Sequence, residues 1–389
     1  MSRAIDQPQP LRESMAAPAR RYTGEVVFIY AFDVAYELRR GPIPQLLGQT
    51  VAQFFVDATH RAPRQLFFYR PQMVRMPPLE RVGPQGLVRV ERTIKILPVG
   101  AISITVRVPF SVERLEDLVA YHDLRFTNGS LYDEVWSLAE EAWRELRPYA
   151  LKAVDRLSDE EAYTVFFITG PLQPADGKSF SAEDWLIAHR RPVASLLTQE
   201  PDIEHLSDQE VDESIGRYLS YYQHDLTVID WDAALVIDDP RNFEETLHIM
   251  ELANVQLAEL EAYDRLLDDV IERSYRDLAG GGFLRRWVRG RGEVLRSLGE
   301  IRIDLARLSD ELSNITKFFG DWHLARIYQA LSGRFHLSEW HKVVDEKLKT
   351  LDELYQLLKH DQNNRWMMLL EATIVLLFIV DLILLMRGT

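Results

Sequence analysis

The 389-residue chain contains no cysteine. That absence removes disulfides and every thiolate zinc site, and it fits a reducing compartment. There is also no His-Glu-x-x-His run, no Gly-x-Ser-x-Gly elbow and no recognisable nucleophile and base set. Catalysis therefore has no support at the level of motifs, and no cofactor is expected. The opening stretch, MSRAIDQPQPLRESMAAPARRYTG, has prolines and mixed charge but lacks the apolar centre of a secretory signal. Residues 1–22 are expected to form a disordered arm. Positive charge is short in sum. A formal net charge of -15 weighs against general nucleic-acid binding, and no direct sequence-specific nucleic-acid binding is expected, although a local basic patch is compatible with it.

Two stretches resemble sites and fall short. FFITGPLQPADGKSFSAEDWL runs strand, Gly170, loop, Gly177-Lys178-Ser179 and helix, the order of a phosphate-binding loop. The two glycines stand too far apart for that motif, and Pro171 and Pro174 remove N–H groups that such a loop would donate. An exposed turn is the expectation. Asp230 and Asp232, two apart in a strand-like run, would face the same side and are weak candidates for a hard cation. With no glycine-shaped calcium loop around them, a solvated sheet face or pairing with arginine is the simpler expectation, and no metal is assigned.

What the chain does contain divides into unlike halves. From 23 to 239, EVVFIYAF, RQLFFYR, LVRVERTIKIL, AISITVRVPF, EAYTVFFITG and HDLTVIDWDAALVID are rich in β-branched and aromatic residues and read as strands. QLLGQTVAQFFVDATH, SVERLEDLVAYH and SLYDEVWSLAEEAWRELRPYALKAV read as helices between them, the last capped by Ser130 with Asp133. The fold class is α+β: a mixed N-terminal domain, then a helical bundle or coiled coil over 240–364, then one C-terminal transmembrane helix over 365–387. Asp239 caps the first long helix and Pro240 suits its first turn. Between Gly292 and Gly320 the apolar positions Val294 to Phe319 keep a heptad spacing. A third seam follows a break at Ser332-Gly333, with Ser338 as its cap and Trp340, Val344, Lys347, Leu351, Leu354 and Leu358 along it. Lys347 is either a register-setting polar residue or, more simply, a solvated edge.

The chain ends in RWMMLLEATIVLLFIVDLILLMRGT. At about 1.5 Å per residue the run from Trp366 to Met386 is long enough for a hydrocarbon layer about 30 Å thick, with Arg365, Trp366 and Arg387 placed as interfacial groups. A tail anchor is expected, in a single-pass protein whose bulk is cytoplasmic, at a bacterial inner membrane. Glu371 and Asp381 within the run are expected to serve association between spans. LAGGGFLRRWVRGRGE joins the first two long helices. Counting helix reversals from the anchor puts this loop at the bilayer, so Phe283, Leu284, Arg285, Arg286, Trp287, Arg289 and Arg291 are expected at headgroup level.

MELANVQLAELEAYDRLLDDVI, DLTVIDWDAALVID and LDELYQLLKHDQNNRWMMLLEATIVLLFIVDLILL together resemble the family named for a requirement in meiotic nuclear division, over roughly the last 170 residues. The resemblance implies a membrane-associated, oligomer-forming protein without an established enzymatic activity, and no site residue is carried over from it. The expected function is a non-enzymatic scaffold, self-associating and held at a lipid bilayer, that presents its N-terminal domain to a cytosolic protein or ribonucleoprotein partner. The alternative is a homo-oligomeric ion channel resembling the magnesium-channel superfamily in outline, against which stand one span in place of two and the absence of Gly-Met-Asn.

Overall fold

The stretch Tyr22–Asp33 (β1) reads YTGEVVFIYAFD, β-branched and aromatic almost throughout, the composition of a strand buried on both faces. The computed structural model, which describes residues 21–39, 41–54, 71–83, 86–127, 129–158, 160–170, 172, 181–279 and 322–387, places it at the centre of a ten-stranded sheet. In chain order the other strands are Ala52–Gln53 (β2), Gln72–Arg75 (β3), Leu79–Gly83 (β4), Gly86–Ile96 (β5), Ala101–Val112 (β6), Glu161–Thr169 (β7), Tyr218–Leu219 (β8), Leu226–Ile229 (β9) and Ala233–Asp238 (β10). Across the sheet the order is β8-β9-β10-β7-β1-β6-β5-β3-β2, with β4 paired to the first part of β5. The β7–β10 pair is parallel and the other pairs are antiparallel. At Gly24 a Cβ would lie 1.8 Å from the Phe167 carbonyl oxygen, so the close approach of β1 to β7 there needs glycine.

Alternation along β1 feeds two cores. Val26, Phe28, Tyr30 and Phe32 face one layer, where Leu131–Leu146 (α1), Ala182–Ala188 (α2), Arg190–Leu197 (α3) and a 3-10 turn at Leu115–Tyr121 cover the sheet. Asp208–Ile215 (α4) packs on α3. Val27, Ile29 and Ala31 face the other layer, against Phe243–Ala279 (α5). Trp322–Arg334 (α6) and Leu337–Arg387 (α7) then cover α5 from outside. From Leu247 to Leu260 every position of α5 is buried except His248 and Leu257, which are half-buried. The result is an α/β arrangement with helices on both faces of a large mixed sheet. The second core runs across position 240, so the first long helix completes the sheet domain instead of standing apart from it.

Two of the three caps expected from the sequence form, and Ser338, expected as the third, lies inside α7, which begins at Leu337. Asp239 accepts from the Arg241 N–H ahead of α5, with Pro240 in the first turn, and Ser130 Oγ accepts from Asp133 N–H at 3.1 Å. Other expectations change. The helix expected over QLLGQTVAQFFVDATH begins instead as a hairpin, Gln45–Leu46 with Gln49–Thr50, because Leu47 and Gly48 both take positive φ (51° and 71°) and close a tight turn. HDLTVIDWDAALVID is two strands, β9 and β10, turned at Asp230–Asp232. Helix α1 stops at Leu146; Arg147–Tyr149 is a 3-10 turn containing Pro148, and Ala150–Ala153 pairs with Ala35–Leu38. The break before the last helix falls at Phe335-His336, where His336 has φ 49°, and Gly333 lies inside α6. A Cβ on Gly333 would come within 2.3 Å of the Arg217 guanidinium, so that glycine admits a neighbour and does not end a helix. RQLFFYR and the heptad stretch from Gly292 to Gly320 lie outside the described residues.

The expected transmembrane helix is also corrected. Among the described residues no helix is long and apolar enough to cross a membrane. The segment 365–387 continues α7, which runs unbroken from Leu337 to Arg387. The sequence expectation took the 366–386 run whole. The described side chains, which leave out those of Trp366, Leu369, Asp381, Leu384 and Leu385 and include Glu371, do not make an apolar window of spanning length. The tail anchor and the single-pass membrane localisation are withdrawn with it.

Candidate anion-binding cleft

Strands β5 and β6 alternate apolar and polar residues. Their even positions, among them Ile94, Ile96, Ile104 and Val106, enter the first core, so Glu91, Thr93, Lys95, Ser103, Thr105 and Arg107 face the α5 side. On β3, Val74 enters the first core and leaves Met73 and Arg75 on the α5 side. Strand register then orders these residues in transverse rows. Arg75 stands opposite Thr93, and Thr93 opposite Thr105. The row before it is Met73, Lys95 and Ser103; the row after it pairs Glu91 with Arg107. Neighbours in a row are about 4.8 Å apart. Helix α5 covers β1 and β7 and only overhangs β6, so the polar rows lie beneath an open cleft of about 430 Å³, walled by Phe54, Met73, Met76, Pro78 and Leu247.

The two flanking rows are tied to α5. Lys95, 5% exposed, donates to Glu251 Oε2, and Ser103 Oγ donates to Glu251 Oε1 at 2.6 Å. The Phe54 ring lies 4.0 Å from the Lys95 ammonium, and His248 approaches Phe54 at 5.3 Å between ring centres. Arg107 bridges Glu244 at 2.6 Å and Glu25 at 3.1 Å. Glu244, Leu247, His248 and Glu251 form one stripe of the helix, so a single face of α5 clamps a cation on each side of the central row. Burial by itself would raise the Glu251 carboxyl, but the Lys95 charge, with help from His248, holds it down at about 2. Burial raises the Glu25 carboxyl, against the pull of Arg107, and the nearby Glu244 and Glu91 raise it further.

The central row is different. Neither the Arg75 guanidinium nor the hydroxyls of Thr93 and Thr105 are hydrogen-bonded to another described residue. Thr105 is 3% exposed and lines the cleft. A permanent cation and two hydroxyls in line, with donors that no described residue takes up, make a surface for an oxyanion.

The residues singled out from sequence lie elsewhere. Asp230 and Asp232 sit in the β9–β10 turn, not on one strand face. Asp230 is buried 3.7 Å from Arg334, and Ser214 also hydrogen-bonds to its carboxylate; burial raises its carboxyl against those two partners. Asp232 is exposed. Arg334, itself 4% exposed, also reaches Glu213 Oε1 at 2.9 Å, so this is an arginine-centred tie between α4, the turn and α6. Among the described residues no group of three or more His, Asp or Glu is placed to hold a metal ion. Phe283, Leu284, Arg285, Arg286, Trp287, Arg289 and Arg291 lie outside the described residues, as does Lys178. Glu371 is exposed on α7, and the Asp381 side chain lies outside the described ones. The cleft residues escaped notice in the sequence, where the available signal was the polar half of the alternation in VERTIKI and AISITVRV.

A family model described as the N-terminal domain of uncharacterized protein MJ0711 matches residues 23–244. Uncharacterized protein MJ0711 of Methanocaldococcus jannaschii is 26% identical over 263 residues, covering 67% of this chain and 76% of that protein. No solved structure matches. Neither finding bears on the resemblance of the C-terminal half to the meiotic nuclear division family. The matched region takes in Arg75, Thr93, Lys95, Thr105 and Arg107 and ends at Glu244 on the cleft rim, and by that match the chain belongs to the family of the MJ0711 N-terminal domain.

Proposed function

We propose that this chain is a non-enzymatic binding scaffold whose α/β domain takes an oxyanion-bearing ligand on the Arg75, Thr93 and Thr105 row, with α5 and α7 as the platform for self-association and for a protein or ribonucleoprotein partner. The observation that carries it is that row: three neighbouring side chains without a hydrogen bond to another described residue, at the floor of an open cleft, in a chain whose net charge has the opposite sign. Binding is favoured over catalysis by the chemistry beside it. Ser103 is fully buried, and the carboxylate it meets is held ionised by Lys95 and is therefore a poor base. The resemblance to the meiotic nuclear division family supports a scaffold as well. The channel alternative needs membrane spans and is not carried forward.

Thermal unfolding in inorganic phosphate, compared with chloride at equal ionic strength, tests this reading. Phosphate is expected to raise the Tm of the native chain and not that of Arg75→Ala. An equal shift in both places any anion elsewhere and defeats the assignment.

A further inference from the structure

The cleft is larger than an inorganic anion needs. At about 30 Å³ per water, a volume of about 430 Å³ has room for roughly fourteen waters, and a tetrahedral oxyanion on the central row would fill a small part of it. The remainder is mixed, with Arg89, Glu91 and Arg92 on its lining beside a group of apolar side chains. Met73 lies two residues before Arg75 on the same face of β3, Leu247 projects from α5 between its two carboxylate clamps, and Met76 lies at the rim. A cleft of this size with a few convergent polar groups suits a small organic molecule. The polar row narrows the headgroup. Its three members extend over three adjacent strands, about 10 Å in all, and offer three separate donor sets. A carboxylate has two oxygens and would leave one set unanswered, whereas a phosphoryl group has three terminal oxygens, two of which match a guanidinium fork.

We infer that the cleft takes an organic phosphomonoester, with its phosphoryl oxygens on Arg75, Thr93 and Thr105 and a compact apolar body against Met73, Met76 and Leu247. The inference rests on the oxyanion-binding reading above and adds the ligand's class to it. Lys95 and Arg107 are already paired with α5 and Glu25, Arg89 pairs with Glu91 at 3.0 Å and Arg92 donates to the Pro77 carbonyl at 3.3 Å, so Arg75 is the cleft arginine with no bond to another described residue and is the cation assigned to the ligand.

Calorimetric titration of the full chain at fixed ionic strength, with phenyl phosphate, inorganic phosphate and benzoate as probes, tests it. Phenyl phosphate is expected to bind about tenfold or more tighter than either of the other two, a factor of ten being 1.4 kcal/mol. Arg75→Ala and Thr105→Val are each expected to weaken it by about tenfold or more, and Thr105→Ser, which keeps the hydroxyl, to restore it. Circular dichroism checks that each variant is folded. If phenyl phosphate and inorganic phosphate bind equally, the apolar body is wrong and the oxyanion row survives. Benzoate binding as tightly as phenyl phosphate overturns the phosphoryl assignment. If none of the three binds, both this inference and the reading beneath it fail. Binding of phenyl phosphate that is indifferent to both substitutions moves the site elsewhere and overturns the inference.

Discussion

Lys95 and Glu251, 5% and 3% exposed, form an ion pair that only works whole. Removing one member leaves a buried charge without its counter-ion, at a cost of about 3–5 kcal/mol, whereas replacing both by apolar residues is often near neutral. Lys95→Met is therefore expected to lower unfolding free energy by about that amount in urea, and Lys95→Met with Glu251→Leu to recover most of it. A double variant as unstable as the single one would show that the pair does not act as a unit. The Glu251 carboxyl lies in the folded chain at about 2, below its ordinary 4.5. Its contribution is thus fully present above about pH 4.5 and is lost as pH falls towards 2. Asp33 has the opposite sign. Burial raises its carboxyl to about 7 although Arg265 pulls it down, and burial, with a hydrogen bond that the protonated Glu161 donates to Glu261, raises the neighbouring Glu161. A carboxyl raised on folding holds its proton more tightly in the folded chain, so its contribution is present below about pH 4 and is lost as pH rises through about 7. Asp33→Asn is expected to flatten the decline in Tm between about pH 5 and pH 7.5; an unchanged slope would show that Asp33 ionises freely in the folded state.

At the scale of elements, the contact between α5 and α7 is set by more than apolar packing. Val344 and Leu351 of α7 are buried in the seam, and between them Lys347 Nζ meets Asp264 at 2.6 Å and Asp268 at 2.7 Å. The two aspartates are one turn apart on α5, so a slide of either helix by a turn would leave Lys347 with at most one partner. A register-setting role is the one the structure supports. Lys347→Met keeps most of the stem, and is expected to cost about 1 kcal/mol, with the difference from the native chain shrinking as salt is added. A salt-independent loss would assign the effect to packing.

Across the whole molecule, α5 is the element that joins sheet and helices. Without it Val27, Ile29, Val165, Phe167 and Val236, all under 2% exposed, would meet water. At about 1.5–3 kcal/mol for each buried side chain, five of them amount to about 8–15 kcal/mol, the size of a domain's entire stability. A chain cut after residue 244, where the family match ends, is expected to be unfolded or aggregated. One cut after residue 360 keeps α6, and keeps α7 beyond Leu354, the last buried residue among those described. It is expected to retain a cooperative thermal transition. Circular dichroism and gel filtration of the two truncated chains decide this, and a cooperatively folded 1–244 fragment would show the second core to be dispensable.

Local order along the chain was legible in the amino acids themselves. The β-branched and aromatic run of β1, the alternation of β5 and β6, the caps at Ser130 and Asp239, and the lengths of α5 and α7 all follow from side-chain composition and periodicity and from hydrogen bonds made within a few residues. The absence of thiolate chemistry follows from composition. Wherever an outcome depended on partners distant in sequence, the tertiary structure decided it. QLLGQT has helical spacing, yet Leu46 buries in a core built by remote segments and the chain turns at Leu47-Gly48. Gly333 looks like a break until Arg217 is seen beside it. Arg75, Thr93 and Thr105 carry no motif, because their alignment is a matter of strand register between β3, β5 and β6. Register is set by which faces find a core, and a shift of one residue would turn all three side chains to the opposite side of the sheet.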